Sequence, residues 1–203
     1  MAPATFLALG DSYTIGEGVA AADRWPTQLA HGLRKSGGEI TDPRIVAQTG
    51  WTCAELLAAI RDERLQGHHD LVTLQIGVND QYRGHGLDRF RPAFHVVLAT
   101  ALSFAKLPGH LVVLSIPDWS VTPFASGRDR AAVAREIDAF NGVCRSSAIE
   151  VGARFVDVTA SSREAASDSR LLAADGLHPS AVMYAKWVEQ VLPVVRDILT
   201  RSK

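Results

Sequence analysis

Apolar and β-branched residues gather in five short runs: TFLAL at 5–9, RIVA at 44–47, LVTLQI at 71–76, HLVVLSI at 110–116 and ARFVDV at 153–158. Longer segments with helix-like spacing of apolar positions follow at 24–36, 52–65, 90–106, 128–151 and 181–200. The resulting order is a strand then a helix, five times over. Strands that are apolar on both faces and joined by helical crossovers predict a parallel sheet with helices on both sides, because each crossover must return over the sheet. The segment at 128–151 places Ala132, Ala139 and Val143 on one face and is expected to end near Gly152. The last helix starts after Pro179, with Ser180 placed to cap it. No internal repeat, heptad run or Pro/Gly/Ser-rich linker divides the 203 residues, so a single domain is expected.

In open α/β sheets, ligands bind beyond the carboxyl ends of the strands. The loops at those ends hold the residues with chemical potential: Gly10-Asp11-Ser12, Gln48-Thr49-Gly50-Trp51-Thr52, Gly77-Val78-Asn79-Asp80, Pro117-Asp118-Trp119 and, after a polar excursion, Asp175-Gly176-Leu177-His178-Pro179. The first, inside LGDSYTIGEG, suits either a backbone cradle for phosphate or an exposed serine nucleophile. GEGVAA at 16–21 satisfies a loose dinucleotide pattern, but that fingerprint needs its first glycine at the strand end, and Gly16 lies seven residues past Leu9. No G-x-x-x-x-G-K-[ST] motif occurs. A serine nucleophile needs a base and the base an orienting acid; Asp175 and His178, three apart in one loop, can supply both. Acyl transfer also needs donors for the developing oxyanion, which the Ser12 and Gly50 N–H groups and the Asn79 amide can offer. The chain lacks G-x-S-x-G, so the strained nucleophile elbow is not the device.

The blocks GDSYTIGEG, TGWT, GVND and DGLHP, in that order from 10 to 179, resemble the SGNH, or GDSL-type, esterase and lipase family. The resemblance implies a flavodoxin-like three-layer α/β/α sandwich around a five-stranded parallel sheet in the order 2-1-3-4-5. It also implies Ser12, Asp175 and His178 as a triad and Ser12, Gly50 and Asn79 as the oxyanion hole. Two positions depart from the family pattern: Tyr13 stands where a leucine is usual, and Gln48 stands two residues before Gly50 where asparagine is often found.

A net charge of -1 supplies no field to attract nucleic acid or an anionic membrane. No stretch reads as a signal peptide or a membrane span, so a cytoplasmic protein is expected, with no membrane insertion. Cys53 and Cys144 read as buried packing thiols. Asp11 is expected to brace the serine loop through backbone N–H groups, and Asp80 to anchor its own loop. His68-His69-Asp70 reads as a polar turn, and His31 and His95 as helix positions at the surface or core edge; no metal or cofactor is expected. Arg83, Arg89 and Arg91 are placed in the loop after Asn79, as a solvated face or a wall for an anionic group. Trp51, Tyr82, Trp119 and Phe124 are candidates for an acyl pocket. The expected reaction is hydrolysis of a small-molecule carboxylic ester; sugar deacetylation, lysophospholipid cleavage and thioester cleavage are the alternatives, and a nucleotide-binding module the rival of a different class.

Overall fold

A computed structural model describes residues 2–201. The five apolar runs form β1 (Phe6–Gly10), β2 (Arg44–Ala47), β3 (Leu71–Gln75), β4 (Leu111–Leu114) and β5 (Arg154–Val156). All neighbouring pairs are parallel, in the order β2-β1-β3-β4-β5. Every residue of β1, β3 and β4 is buried, as expected for strands covered on both faces, whereas the edge strands β2 and β5 carry exposed arginines at their first positions.

Eight α-helices accompany the sheet among the described residues: α1 (Ser12–Ile15), α2 (Trp25–Lys35), α3 (Cys53–Asp62), α4 (Val78–Tyr82), α5 (Leu87–Ser103), α6 (Arg130–Glu150), α7 (Thr159–Ser162) and α8 (Ala181–Arg201). Right-handed crossovers dictate their sides. The step from β1 to β2 runs one way along the sheet and places α2 on one face, where it packs with α8. Later steps run the other way, so α3, α5 and α6 form a contiguous row on the opposite face. The reversal leaves a crevice between the carboxyl ends of β1 and β3.

The long helices follow the expected segments, with one difference of face. α6 buries Val133, Ile137, Phe140, Val143 and Cys144, whereas Ala139 is exposed. The larger side chains take the core because they remove more apolar area from water than alanine can. Gly152 follows α6 at φ 75°, its N–H donating to the Ile149 carbonyl. Ser180 opens α8, its carbonyl accepting from the Tyr184 N–H and its hydroxyl from the Met183 N–H. No helix among the described residues is long and apolar enough to cross a membrane.

Candidate active site

The serine loop is shaped by close approach. A Cβ on Gly10 would sit 2.1 Å from Thr14 Oγ1 and 2.6 Å from the Gln75 carbonyl oxygen, so only glycine lets α1 fold back onto the strand end. Asp11 caps α1, its Oδ1 accepting from the Tyr13 N–H at 3.0 Å. Ser12 is therefore the first helical residue beyond β1. Gly16 closes α1 in the left-handed conformation, its N–H donating to the Ser12 carbonyl at 3.0 Å. The first glycine of GEGVAA is thus a helix stop. Burial pushes the Asp11 carboxyl up to about 8, against the lowering effect of the Tyr13 N–H, and the nearby Asp80 adds to the rise.

The loop from Ala173 to Pro179 is pinned by the Ala173 N–H donating to the His178 carbonyl at 2.7 Å. Asp175 divides its oxygens. Oδ1 accepts from the N–H groups of Leu177 and His178, each at 2.9 Å, and Oδ2 lies 2.6 Å from His178 Nδ1. Burial acts to raise this carboxyl, but the His178 bond and the two backbone donors outweigh it and hold it below the usual carboxylate range. The Tyr13 ring meets His178 edge-on, with centroids 5.7 Å apart.

Gly50 adopts φ 87°, and a Cβ added there would meet only Arg83 Nη2, at 4.0 Å, so the backbone angle rather than space demands glycine. Arg83 Nη2 donates to the Gly50 carbonyl at 2.6 Å, and Asn79 Nδ2 donates to the Trp51 carbonyl at 2.9 Å. The second hydrogen of that amide nitrogen remains for another acceptor. Asp80 Oδ2 accepts from the Cys53 N–H at 2.9 Å, and its Oδ1 faces His85 Nδ1 at 3.2 Å.

Ser12, Gly50, Asn79 and His178 all line one cavity of about 130 Å³. One wall is a triangle of Tyr82, Trp119 and Phe124, with ring centroids 5.6 to 5.9 Å apart. Trp119 is fixed by its Nε1–H donating to Gln81 Oε1 at 2.9 Å. Trp51 is not on this wall: its side chain packs against the core, and it meets the site through its carbonyl. Arg89 and Arg91 are not loop residues but exposed positions of α5, and Arg83 is engaged with the Gly50 loop. Asp70 accepts from the Thr5 N–H and hydroxyl and pairs with Lys106, away from the cavity. His31 and His95 are exposed, and both cysteines are buried free thiols. Arg83 was visible as a residue type, but no local pattern marked the carbonyl it would reach.

The fold is similar to that of solved enzymes. TesA shares 21% identity at a TM-score of 0.73, with 96% of this chain and 99% of that one covered. Axe2, an acetylxylan esterase from Geobacillus stearothermophilus, shares 20% at 0.71, covering 96% and 94%. A lipolytic protein of the G-D-S-L family from Veillonella parvula DSM 2008 shares 15% at 0.73, covering 94% and 97%. No curated protein matches the sequence. Residues 8–186 match the model of the GDSL-like lipase/acylhydrolase family. Because that match runs from within β1 into α8, the chain belongs to the GDSL-like lipase/acylhydrolase family and is a carboxylic ester hydrolase.

Proposed function

We propose that the protein hydrolyses short-acyl carboxylic esters through a Ser12–His178–Asp175 triad and an acyl-enzyme intermediate. His178 Nε2 takes the Ser12 hydroxyl proton as Oγ bonds to the ester carbonyl carbon. The N–H groups of Ser12 and Gly50 and the free Asn79 amide hydrogen receive the oxyanion. Collapse breaks the bond to the alcohol oxygen, which takes the proton from Nε2. A water then repeats the sequence on the acyl group and returns the proton to Ser12. Asp175 keeps the His178 proton on Nδ1 and stabilises the imidazolium formed in each half.

The observation that carries this reading is the meeting of Ser12, Gly50, Asn79 and the Asp175-held His178 around a single cavity. Its volume favours a short acyl group: about 130 Å³ is close to the space, roughly 150 Å³, that accommodates a benzene ring. A second reading, an acetyl ester on a carbohydrate, is favoured by Tyr82 and Phe124, which line the cavity yet are 44% and 46% exposed, so that aromatic surface reaches solvent at its edge. Axe2 is an acetylxylan esterase, in keeping with this option. The test compares wild type with folded Ser12→Ala on p-nitrophenyl acetate, p-nitrophenyl octanoate and an acetylated oligosaccharide. Acetate should be turned over faster than octanoate, and Ser12→Ala should lose activity on every substrate. Equal activity in the two proteins would remove Ser12 from the mechanism.

A further inference from the structure

We infer that Arg83 is a positioning residue that holds the Gly50 N–H on the oxyanion, an inference that rests on the proposed roles of Ser12, Gly50 and Asn79. One turn of α4 and the residue after it grip the start of α3. Asn79 Nδ2 holds the Trp51 carbonyl, Asp80 Oδ2 holds the Cys53 N–H, and Arg83 Nη2 holds the Gly50 carbonyl, the shortest of the three at 2.6 Å. Asn79 and Arg83 stand at i and i+4, on one side of the helix, and the Arg83 N–H donates to the Asn79 carbonyl at 3.1 Å. The element that carries one oxyanion donor therefore clamps the backbone of the other.

Gly50 needs such a clamp. A glycine at φ 87° has more backbone conformations open to it than any other residue, so its N–H keeps its aim only if neighbouring peptide groups are held. From one side, the Thr49 hydroxyl bonds to the Glu17 carboxylate. From the other, Arg83 bonds the Gly50 carbonyl. Arg83 is itself oriented: Nη1 lies 3.2 Å from Glu55 Oε1, while Glu55 Oε2 accepts from the Thr52 N–H and hydroxyl at 2.8 Å in the cap of α3. The planar guanidinium can meet a carbonyl and a carboxylate together, whereas a lysine ammonium is a single point on a flexible stem.

The experiment measures kcat and KM on p-nitrophenyl acetate for wild type, Ser12→Ala, Arg83→Met and Arg83→Lys, with Tm recorded for each. Loss of aim at the oxyanion is felt in the transition state, so Arg83→Met should lower kcat about 10- to 100-fold with KM changed less than about twofold. Arg83→Lys should fall between Arg83→Met and wild type. If Arg83→Met does not fold, Arg83→Lys decides, by a lowered kcat at unchanged KM. A folded Arg83 variant with wild-type kcat, or a deficit that merely follows the unfolded fraction and vanishes on cooling, overturns the inference. Inactive Ser12→Ala beside a fully active Arg83→Met would remove only the clamp; active Ser12→Ala would overturn the parent reading and this one with it.

Discussion

At the scale of single residues, Asp175 is the clearest case of geometry setting chemistry. Its Oδ1 is held by two backbone N–H groups, so only Oδ2 can face His178 Nδ1. An asparagine placed there would keep its carbonyl oxygen on the backbone donors and turn its NH₂ toward Nδ1. Nδ1 would then have to accept, the ring proton would move to Nε2, and His178 would have no lone pair for the Ser12 proton. Asp175→Asn should therefore lower kcat by about 10⁴-fold, the loss known for the same change in a comparable triad, while KM on a short ester stays near wild type. A loss smaller than tenfold at saturating substrate would show that Asp175 does not set the tautomer. The Asp-x-x-His spacing was legible because three residues in a tight loop bring carboxylate and ring together. The Arg83 contact was not, because its partner is a backbone carbonyl 33 positions away and backbone atoms leave no mark on residue type.

At the scale of elements, the long helices and strands were readable from periodicity, whereas α1 and α4 were not. With four and five residues, they span little more than one turn, too little for a repeat to register. Yet these two elements aim Ser12 and Asn79, so the loops bearing the site were legible while the directions of their side chains were not. Trp51 illustrates the limit: it adjoins Gly50 in sequence, but its half-buried side chain packs against the core and does not line the cavity. Tyr13, one residue past Ser12, has the opposite importance. Together with Trp119 and Leu177 it lines both the active-site cavity and a second, much smaller space of about 10 Å³ bounded by Leu171, Leu172 and Met183. These shared residues form a partition, and behind it Leu171, Leu172 and Met183 lie beside the polar Asp118, Thr122 and Ser162. Tyr13→Ala should join the two spaces and raise the octanoate-to-acetate ratio of kcat/KM by about tenfold, since each added methylene that finds apolar cover contributes about 0.8 kcal/mol. The ratio is the decisive quantity, because Tyr13 also touches His178 and its loss lowers both rates. An unchanged ratio would mean that the partition does not limit chain length.

For the whole molecule, the parallel pairing was legible because strands apolar on both faces, joined by helices, call for crossovers that return over the sheet, whereas the order 2-1-3-4-5 was implied only by the family resemblance. What topology hid is the cost of a site at the switch point: the strand end there is covered on all sides, and it carries Asp11. The unfolded chain gives up the Asp11 proton near 3.8, whereas burial keeps it on the native protein up to about 8. Between those values the native state binds more protons than the unfolded one, so this group makes stability fall as pH rises, by up to about 1.4 kcal/mol per unit, and its effect levels off above about 8. Asp80, buried nearby, acts in the same direction by disfavouring a second charge. Asp11→Asn can retain the acceptor for the Tyr13 N–H while removing the proton, so its stability should lack this contribution. Urea midpoints of the two proteins measured from pH 5 to 9 should diverge steadily up to about pH 8, with Asp11→Asn gaining on wild type, and then run parallel. Curves that stay parallel throughout would mean that Asp11 is ionised in the folded protein. On the diverging outcome, Asp11 sits beside Ser12 as a neutral acid at pH 7 and sets no negative charge behind the Ser12 N–H that is proposed to receive the oxyanion.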